Sequence, residues 1–193
     1  ELDIENAIAK VTYLSGSVNF TREVFSSAPG KALIVRLTAD KQGALSFTAR
    51  LSRPGTRATI LANGSDITMS EHIGNGLGVK MYSRLKVISE GGKTFSAGDS
   101  VIVEKANSVT LILTASTDYF GDNPEVTSKT NLDAVFSHSY SDLKASHISD
   151  YQSLFKRVDL DLGSSDGSYF TTDARIAAMQ NGFADPNLIE LYY

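Results

Sequence analysis

Two hydrophobic periods divide this chain. Up to about residue 117 apolar positions alternate with polar ones, broken roughly every 8 to 12 residues by turn chemistry, the signature of short antiparallel strands. Residues 1–14 alternate loosely, with Ile4, Ile8, Val11 and Tyr13 as the inward set, and Ser15-Gly16-Ser17 turns the chain into a strand over 18–25. Ala28-Pro29-Gly30 ends it. Leu33, Val35 and Leu37 then share one face against Ile34 and Arg36, and after Lys41-Gln42-Gly43 the set Leu45, Phe47, Ala49 and Leu51 does the same. These four runs read as a meander. Weaker strands follow around 58–61 and 67–69, then a long one over 79–88, with Glu90-Gly91-Gly92-Lys93 as a hairpin turn. Residues 100–104 and 109–117 read as one more pair. The last run is the most apolar in the chain and rich in β-branched residues, which suits a strand near the middle of a sheet.

Beyond residue 123 the period becomes helical. Residues 125–138 carry Leu132, Val135 and Phe136 at helical spacing. A second helix starts near Tyr140, with Ser141 as its cap, and places His147, Tyr151, Leu154, Phe155 and Val158 on one apolar face. That face needs a cover, and Phe155→Ala is expected to cost about 3 to 5 kcal/mol if it is buried. From Val158 to Leu162 the period returns to two, predicting a strand that ends at Gly163 and the Ser164-Ser165-Asp166-Gly167-Ser168 run. Thr172 caps a helix over 173–180 that Gly182 stops, and Asp185-Pro186 opens another.

Composition narrows the function. A chain of 193 residues that is 41% hydrophobic can bury a large core. Its 18 basic and 22 acidic residues are evenly spread, with no basic tract for a nucleic acid. No apolar run reaches the roughly 20 residues that cross a bilayer. There is no cysteine. The chain opens in strand-like alternation and closes in an apolar helical pattern, and it reads as a piece of a longer protein.

Chemistry-bearing clusters are sparse. His72, His138 and His147 are too dispersed for a metal set, and His147 reads as a packed residue bonded to a backbone carbonyl. Gly74-Asn75-Gly76-Leu77-Gly78 lacks the Gly-Lys-Ser/Thr and helix of a phosphate loop and reads as a flexible connection. The carboxylate pairs Asp159/Asp161 and Asp118/Asp122 read as solvated groups, and no serine lies in a Gly-x-Ser-x-Gly elbow. Tyr119 and Phe120, adjacent in one loop, would either stack on a sugar ring or dock on another domain. No catalytic residue, metal ligand or cofactor site is assigned.

The junction His147-x-x-Asp150-Tyr151-x-x-Leu154-Phe155-x-Arg157-Val158-x-Leu160-x-Leu162-Gly163 resembles the linker of family 95 glycoside hydrolases, the inverting α-L-fucosidases and their α-L-galactosidase relatives. Thr21-Arg22-Glu23-Val24-Phe25, Val35-Arg36-Leu37-Thr38-Ala39-Asp40-Lys41 and Phe47-Thr48-Ala49-Arg50-Leu51 agree with the family in its order, while residues 53–80 agree weakly. The resemblance implies a mainly β protein with α. Its antiparallel β-sandwich, of the galactose-mutarotase-like supersandwich type and without its first strands, would cover residues 1–120, and residues 121–193 would form a helical linker towards an (α/α)6 barrel. The family's catalytic acid and asparagine-assisted base lie in that barrel, so no catalytic residue carries over and the chain alone is expected to be inactive. His147, Tyr151, Leu154, Phe155 and Arg157 would pack the linker, and Tyr119 and Phe120 would contact sugar or barrel. The expected partners are the barrel and, through the parent enzyme, fucosylated glycans, in a secreted or periplasmic bacterial setting. A sheet edge left open would allow self-association. The competing reading is a stand-alone carbohydrate-binding or adhesive sandwich.

Overall fold

The computed structural model describes every residue except Thr56, Ser165 and Tyr193, with the backbone alone at Asp166 and Ser168. The end of the Pro54-Gly55 turn, the middle of the serine-rich break and the last residue of the chain therefore lie outside the described residues. The chain forms two compact units, Glu1–Gln152 and Ser153–Tyr193.

The first unit contains β1 (Leu2–Asp3), β2 (Ile8–Ser15), β3 (Val18–Ser27), β4 (Ala32–Ala39), β5 (Leu45–Ala49), β6 (Thr59–Asn63), β7 (Asp66–His72), β8 (Lys80–Glu90), β9 (Lys93–Ala97), β10 (Ser100–Ala106) and β11 (Ser108–Thr117). Helix α1 (Pro124–Phe136) follows, and α2 (Tyr140–Phe155) runs across the division between the units. Eight strands form one antiparallel sheet in the order β1-β2-β3-β4-β11-β8-β7-β6, and three form a second in the order β5-β10-β9. β11 lies between β4 and β8, the interior place its apolar, β-branched run predicts.

The pairing differs from the expected meander. β2, β3 and β4 pair in succession, but β5 crosses to the small sheet and β11 takes the place beside β4. Gly91-Gly92 likewise carries the chain from the large sheet to the small one, and β10 and β11 lie in different sheets instead of pairing. Local turn chemistry reports a reversal, not which sheet receives the next strand. Gly92 shows how tight this passage is: φ is +67°, and an added Cβ would stand 2.1 Å from the Glu104 carbonyl oxygen.

The middle of the large sheet is packed on both faces, so the alternation in its central strands is not apolar against polar. On one side Leu85, Val87 and Val109 meet Leu45, Ala49, Val101 and Val103 of the small sheet. On the other, Ile8, Phe25, Ile34 and Ile112 meet Leu132 and Val135 of α1 and Leu143 of α2. Ile34, expected opposite the inward set of β4, is fully buried beneath the helices. In β2 only one parity can enter that layer, so Ile8 is buried while Val11 and Tyr13 point to the other face and stay exposed; Ile4, outside the strand, is exposed too.

α1 is capped by Asn123, whose side chain accepts from the Glu125 and Val126 amides, with Pro124 at its start. Leu132 and Val135 are buried and Phe136 is half exposed. The buried Thr114 hydroxyl donates to the Ser128 carbonyl at 2.9 Å, tying α1 to the central strand. At α2 the cap is Ser139 and not Ser141: the Ser139 hydroxyl accepts from the Asp142 amide, while the Ser141 hydroxyl is bonded to that of Ser139.

In the second unit, residues 158–162 are irregular where the alternation predicts a strand. A strand exists only with a partner for its backbone groups, and none lies beside this segment among the described residues. A 3-10 turn (Asp166–Tyr169) precedes α3 (Thr172–Gln180) and α4 (Pro186–Leu191). Thr171, one residue before the expected cap, starts α3, and Gly182 closes it with φ +91°. Asp185 caps α4 as expected, accepting from the Leu188 amide.

Candidate functional site

The first half of α2 is held to the large sheet by polar groups the sequence keeps far apart. Glu23, on β3, accepts the Tyr140 hydroxyl at 2.6 Å and the Lys144 ammonium at 3.0 Å. Burial pushes the Glu23 carboxyl up, but the bonds from Tyr140 and Lys144 and the nearby lysine charge outweigh it and leave the carboxyl below its ordinary range. Burial, and then the bond to Glu23, hold the Tyr140 phenol above its ordinary value. The Arg36 guanidinium lies 5.4 Å from the Tyr140 ring centre.

His147 is the centre of this arrangement and is buried. Its ring stacks on Phe25 at 4.8 Å. Nε2 lies 3.0 Å from the Asn6 carbonyl and 3.2 Å from that of Ala7, and because carbonyls only accept, Nε2 carries the proton and donates to both. The Tyr151 hydroxyl donates to the Ile4 carbonyl at 2.7 Å, and the Gln152 amide donates to the Asn6 side chain at 2.8 Å. These bonds pin the bend between β1 and β2, where Ala7 takes a left-handed backbone with φ +50°. The expected role of His147, packed and bonded to backbone carbonyl, matches this geometry. Glu23, Tyr140 and Lys144 were not singled out from the sequence; only the helical spacing of Tyr140, Lys144, His147 and Tyr151 could have pointed to a shared face.

Further along, the same helix is open. Leu154 is 59% exposed, Phe155 41% and Val158 61%. Arg157, two residues past the end of α2, turns back on it, Nε donating to the Ser153 carbonyl at 2.8 Å. The condition for a large loss on Phe155→Ala is therefore not met in this chain.

Tyr119 and Phe120 sit on the loop after β11, 73% and 89% exposed, with ring centres 4.9 Å apart edge to face. Beside them is a cleft of ≈ 780 Å³ lined by Arg57, His72, Lys80, Tyr82, Asp118 and Asp122 among others. The fold thus brings His72 to the Asp118/Asp122 pair. Asp118, however, accepts from the Lys80 amide at 2.8 Å, and His72 Nε2 donates to the Gly78 carbonyl at 3.0 Å, so both are engaged in holding loops. Among the described residues no group of three His, Asp or Glu side chains could hold a metal ion.

Within the second unit Arg175 and Asp185 form a two-pronged ion pair, Nε–Oδ2 and Nη2–Oδ1 both 2.8 Å, with both side chains largely shielded. Asp185 holds the guanidinium charge in place and raises its pKa. The sequence marks Asp185 only as a helix start, and a pairing ten residues away leaves no local signal.

Known proteins resemble this chain. Residues 1–122 match the model described as "Glycosyl hydrolase family 65, N-terminal domain", and residues 139–193 match "Glycosyl hydrolase family 95 catalytic domain". The second match begins just before α2, so the helix seated on the sheet lies within it. "Alpha-L-fucosidase 2" of Arabidopsis thaliana is 34% identical over 233 residues, covering 100% of this chain and 27% of its own length. "Probable alpha-fucosidase A" of Aspergillus niger is 22% identical, covering 100% and 26%. The chain thus spans about a quarter of the length of these relatives. A solved structure, "Putative kojibiose phosphorylase from human microbiome", superposes with a TM-score of 0.51 at 13% identity over 80% of this chain and 24% of the other, which shows a shared fold. The chain belongs to the glycosyl hydrolase family 65 N-terminal domain family through residues 1–122, and its residues 139–193 are similar to part of the family 95 catalytic domain.

Proposed function

We propose that this chain is the non-catalytic N-terminal sandwich and helical linker of an α-L-fucosidase-like glycoside hydrolase, and that its work is to support a catalytic (α/α)6 barrel. The observation that carries this reading is the unequal burial of α2. Its first half is fastened to the sheet through His147, Tyr140 and Lys144, while Leu154, Phe155 and Val158 beyond it present apolar surface. A helix that grips the sandwich at one end and offers apolar residues at the other suits a bridge to a further body. Fucosylated glycans would be the substrates of the parent enzyme, acting in a secreted or periplasmic setting.

Incubation of the purified 193-residue chain with an aryl α-L-fucoside tests it. No release of the phenol above the buffer rate is expected; turnover that follows protein concentration through a single chromatographic peak would refute the assignment.

One observation favours a carbohydrate-binding role instead: the exposure of Tyr119 and Phe120 beside a polar cleft. Their edge-to-face packing does not form the flat platform on which a sugar ring stacks, and we prefer the supporting role. A fucose titration followed by tyrosine fluorescence should show no saturable change, and saturation that Tyr119→Ala removes would reverse the preference.

A further inference from the structure

Asparagine followed by glycine occurs three times in the chain, at Asn63-Gly64, Asn75-Gly76 and Asn181-Gly182. The step is chemically weak. Glycine offers a backbone nitrogen that no side chain shields, and that nitrogen can attack Cγ of the asparagine before it when nothing else holds the two. Whether it does depends on where the fold puts the glycine amide, the asparagine side chain and the peptide between them.

Two of the three steps are locked. Asn63 ends β6 and pairs with Asp66 across the hairpin, which fixes its backbone in the ladder, and the Gly64 amide donates to the Ser96 hydroxyl at 3.2 Å. Asn181 closes α3 with its side-chain amide donating to the Ala177 carbonyl at 2.8 Å, and the Gly182 amide donates to the Met179 carbonyl at 3.0 Å. At either one, attack must first break hydrogen bonds.

Asn75-Gly76 differs. It is the solvent-exposed tip of the loop between β7 and β8. Asn75 has φ +57° and Gly76 φ +88°, and the Leu77 amide donates to the Gly74 carbonyl at 3.2 Å, so residues 74–77 form a type I′ turn. Among the described residues neither the Asn75 side chain nor the Gly76 amide has a hydrogen-bond partner. The turn's own bond survives if the peptide between residues 75 and 76 turns over to type II′, which carries Asn75 ψ to about −120° and Gly76 to negative φ. Glycine accepts either sign. At that ψ the Gly76 nitrogen eclipses Asn75 Cβ, the geometry of a ring closed on Cγ. The base of the loop stays in place, held by the Ile73 amide on the Val79 carbonyl, the Gly78 amide on the Ile73 carbonyl and His72 Nε2 on the Gly78 carbonyl.

We propose that Asn75 is a site of spontaneous modification set up by the fold. The Gly76 nitrogen bonds to Asn75 Cγ, its proton passes by way of water to the departing side-chain nitrogen, and ammonia leaves a cyclic imide. Water then opens the ring at either carbonyl, giving aspartate or isoaspartate. Each product adds a carboxylate to the loop that His72 fastens beside the polar cleft, and isoaspartate also lengthens the main chain by a methylene, so the original turn does not re-form.

The test incubates the full 193-residue chain in mildly alkaline buffer, native or in concentrated guanidinium chloride, and digests it with an endoproteinase that cuts after glutamate. Asn63, Asn75 and Asn181 then lie on separate peptides, 24–71, 72–90 and 126–190, and Asn75 is the one side-chain amide on its peptide. In the native chain, amide-to-acid conversion followed by mass spectrometry is expected to run about tenfold faster or more at Asn75 than at the other two, which must give up hydrogen bonds to react. In guanidinium chloride the three rates should converge. An isoaspartyl methyltransferase with a labelled methyl donor should mark peptide 72–90 from the aged native chain. Equal native rates at the three steps, a preference for Asn75 that persists in the denaturant, or aspartate without isoaspartate would overturn the proposal. So would an Asn75 that stays intact in the native chain while the denatured chain reacts.

Discussion

Truncating His147 is the most direct probe of how α2 is held. The ring is 4% exposed, stacked on Phe25, and donates to two carbonyls that define the β1–β2 bend. Removing a buried ring leaves a cavity, and the figure for a large aromatic is about 3 to 5 kcal/mol; imidazole is smaller, so about 2 to 4 kcal/mol is the packing share. The lost bond adds about 1 kcal/mol, because the Asn6 and Ala7 carbonyls must find water or stay unsatisfied. His147→Ala should therefore lower stability by about 3 to 5 kcal/mol in total. His147→Leu keeps most of the volume but not the donor, and should lower it by about 1 to 2 kcal/mol. Urea denaturation followed by tyrosine fluorescence and far-ultraviolet circular dichroism measures both. A leucine variant as stable as the parent would show that the shared hydrogen bond contributes nothing. An alanine loss under about 1 kcal/mol, the size of an ordinary surface change, would mean that α2 is not seated through this residue at all.

Three further outcomes follow from the same contacts. Glu23 has a lowered folded pKa, so its contribution is fully present above the unfolded value of about 4.5 and is lost as pH falls through the folded one. Glu23→Gln should flatten the acid limb of the stability–pH curve and cost about 1 to 2 kcal/mol at pH 7, after allowance for its partial exposure; an unchanged acid limb would dismiss the linkage. Gly92→Ala should destabilise by about 2 to 4 kcal/mol, because a side chain there meets backbone at a positive φ; a melt within 1 °C of the parent would contradict the close approach. Phe155→Ala should cost under about 1 kcal/mol in this chain, since the ring is already 41% in solvent, and a larger loss in the urea melt would show that its face is covered.

What could be read from the residues alone is whatever depends on neighbours in sequence. Period-two alternation marked the strands, the β-branched run at 109–117 marked the interior one, and Asp185-Pro186 marked the start of α4, because pleat, propensity and capping act within a few residues. Even the packed, carbonyl-bonded role of His147 was legible, since its place on an apolar helical face leaves its nitrogens little else to do.

Only tertiary structure decided what depends on distance. Alternation cannot say which sheet a strand joins, so β5 and β9 crossed over where hairpins were expected, and a strand covered on both faces, as β4 is, has no single inward parity to detect. Residues 158–162 had the pattern of a strand but, among the described residues, no neighbouring strand to form a ladder with, and a pattern without a ladder stays irregular. Glu23 meets Tyr140 across 117 residues, a pairing that no local signal encodes. It exists because the sheet carries β3 beneath α2, and burial there makes a hydrogen-bonded pairing of the carboxylate far better than leaving it unpaired.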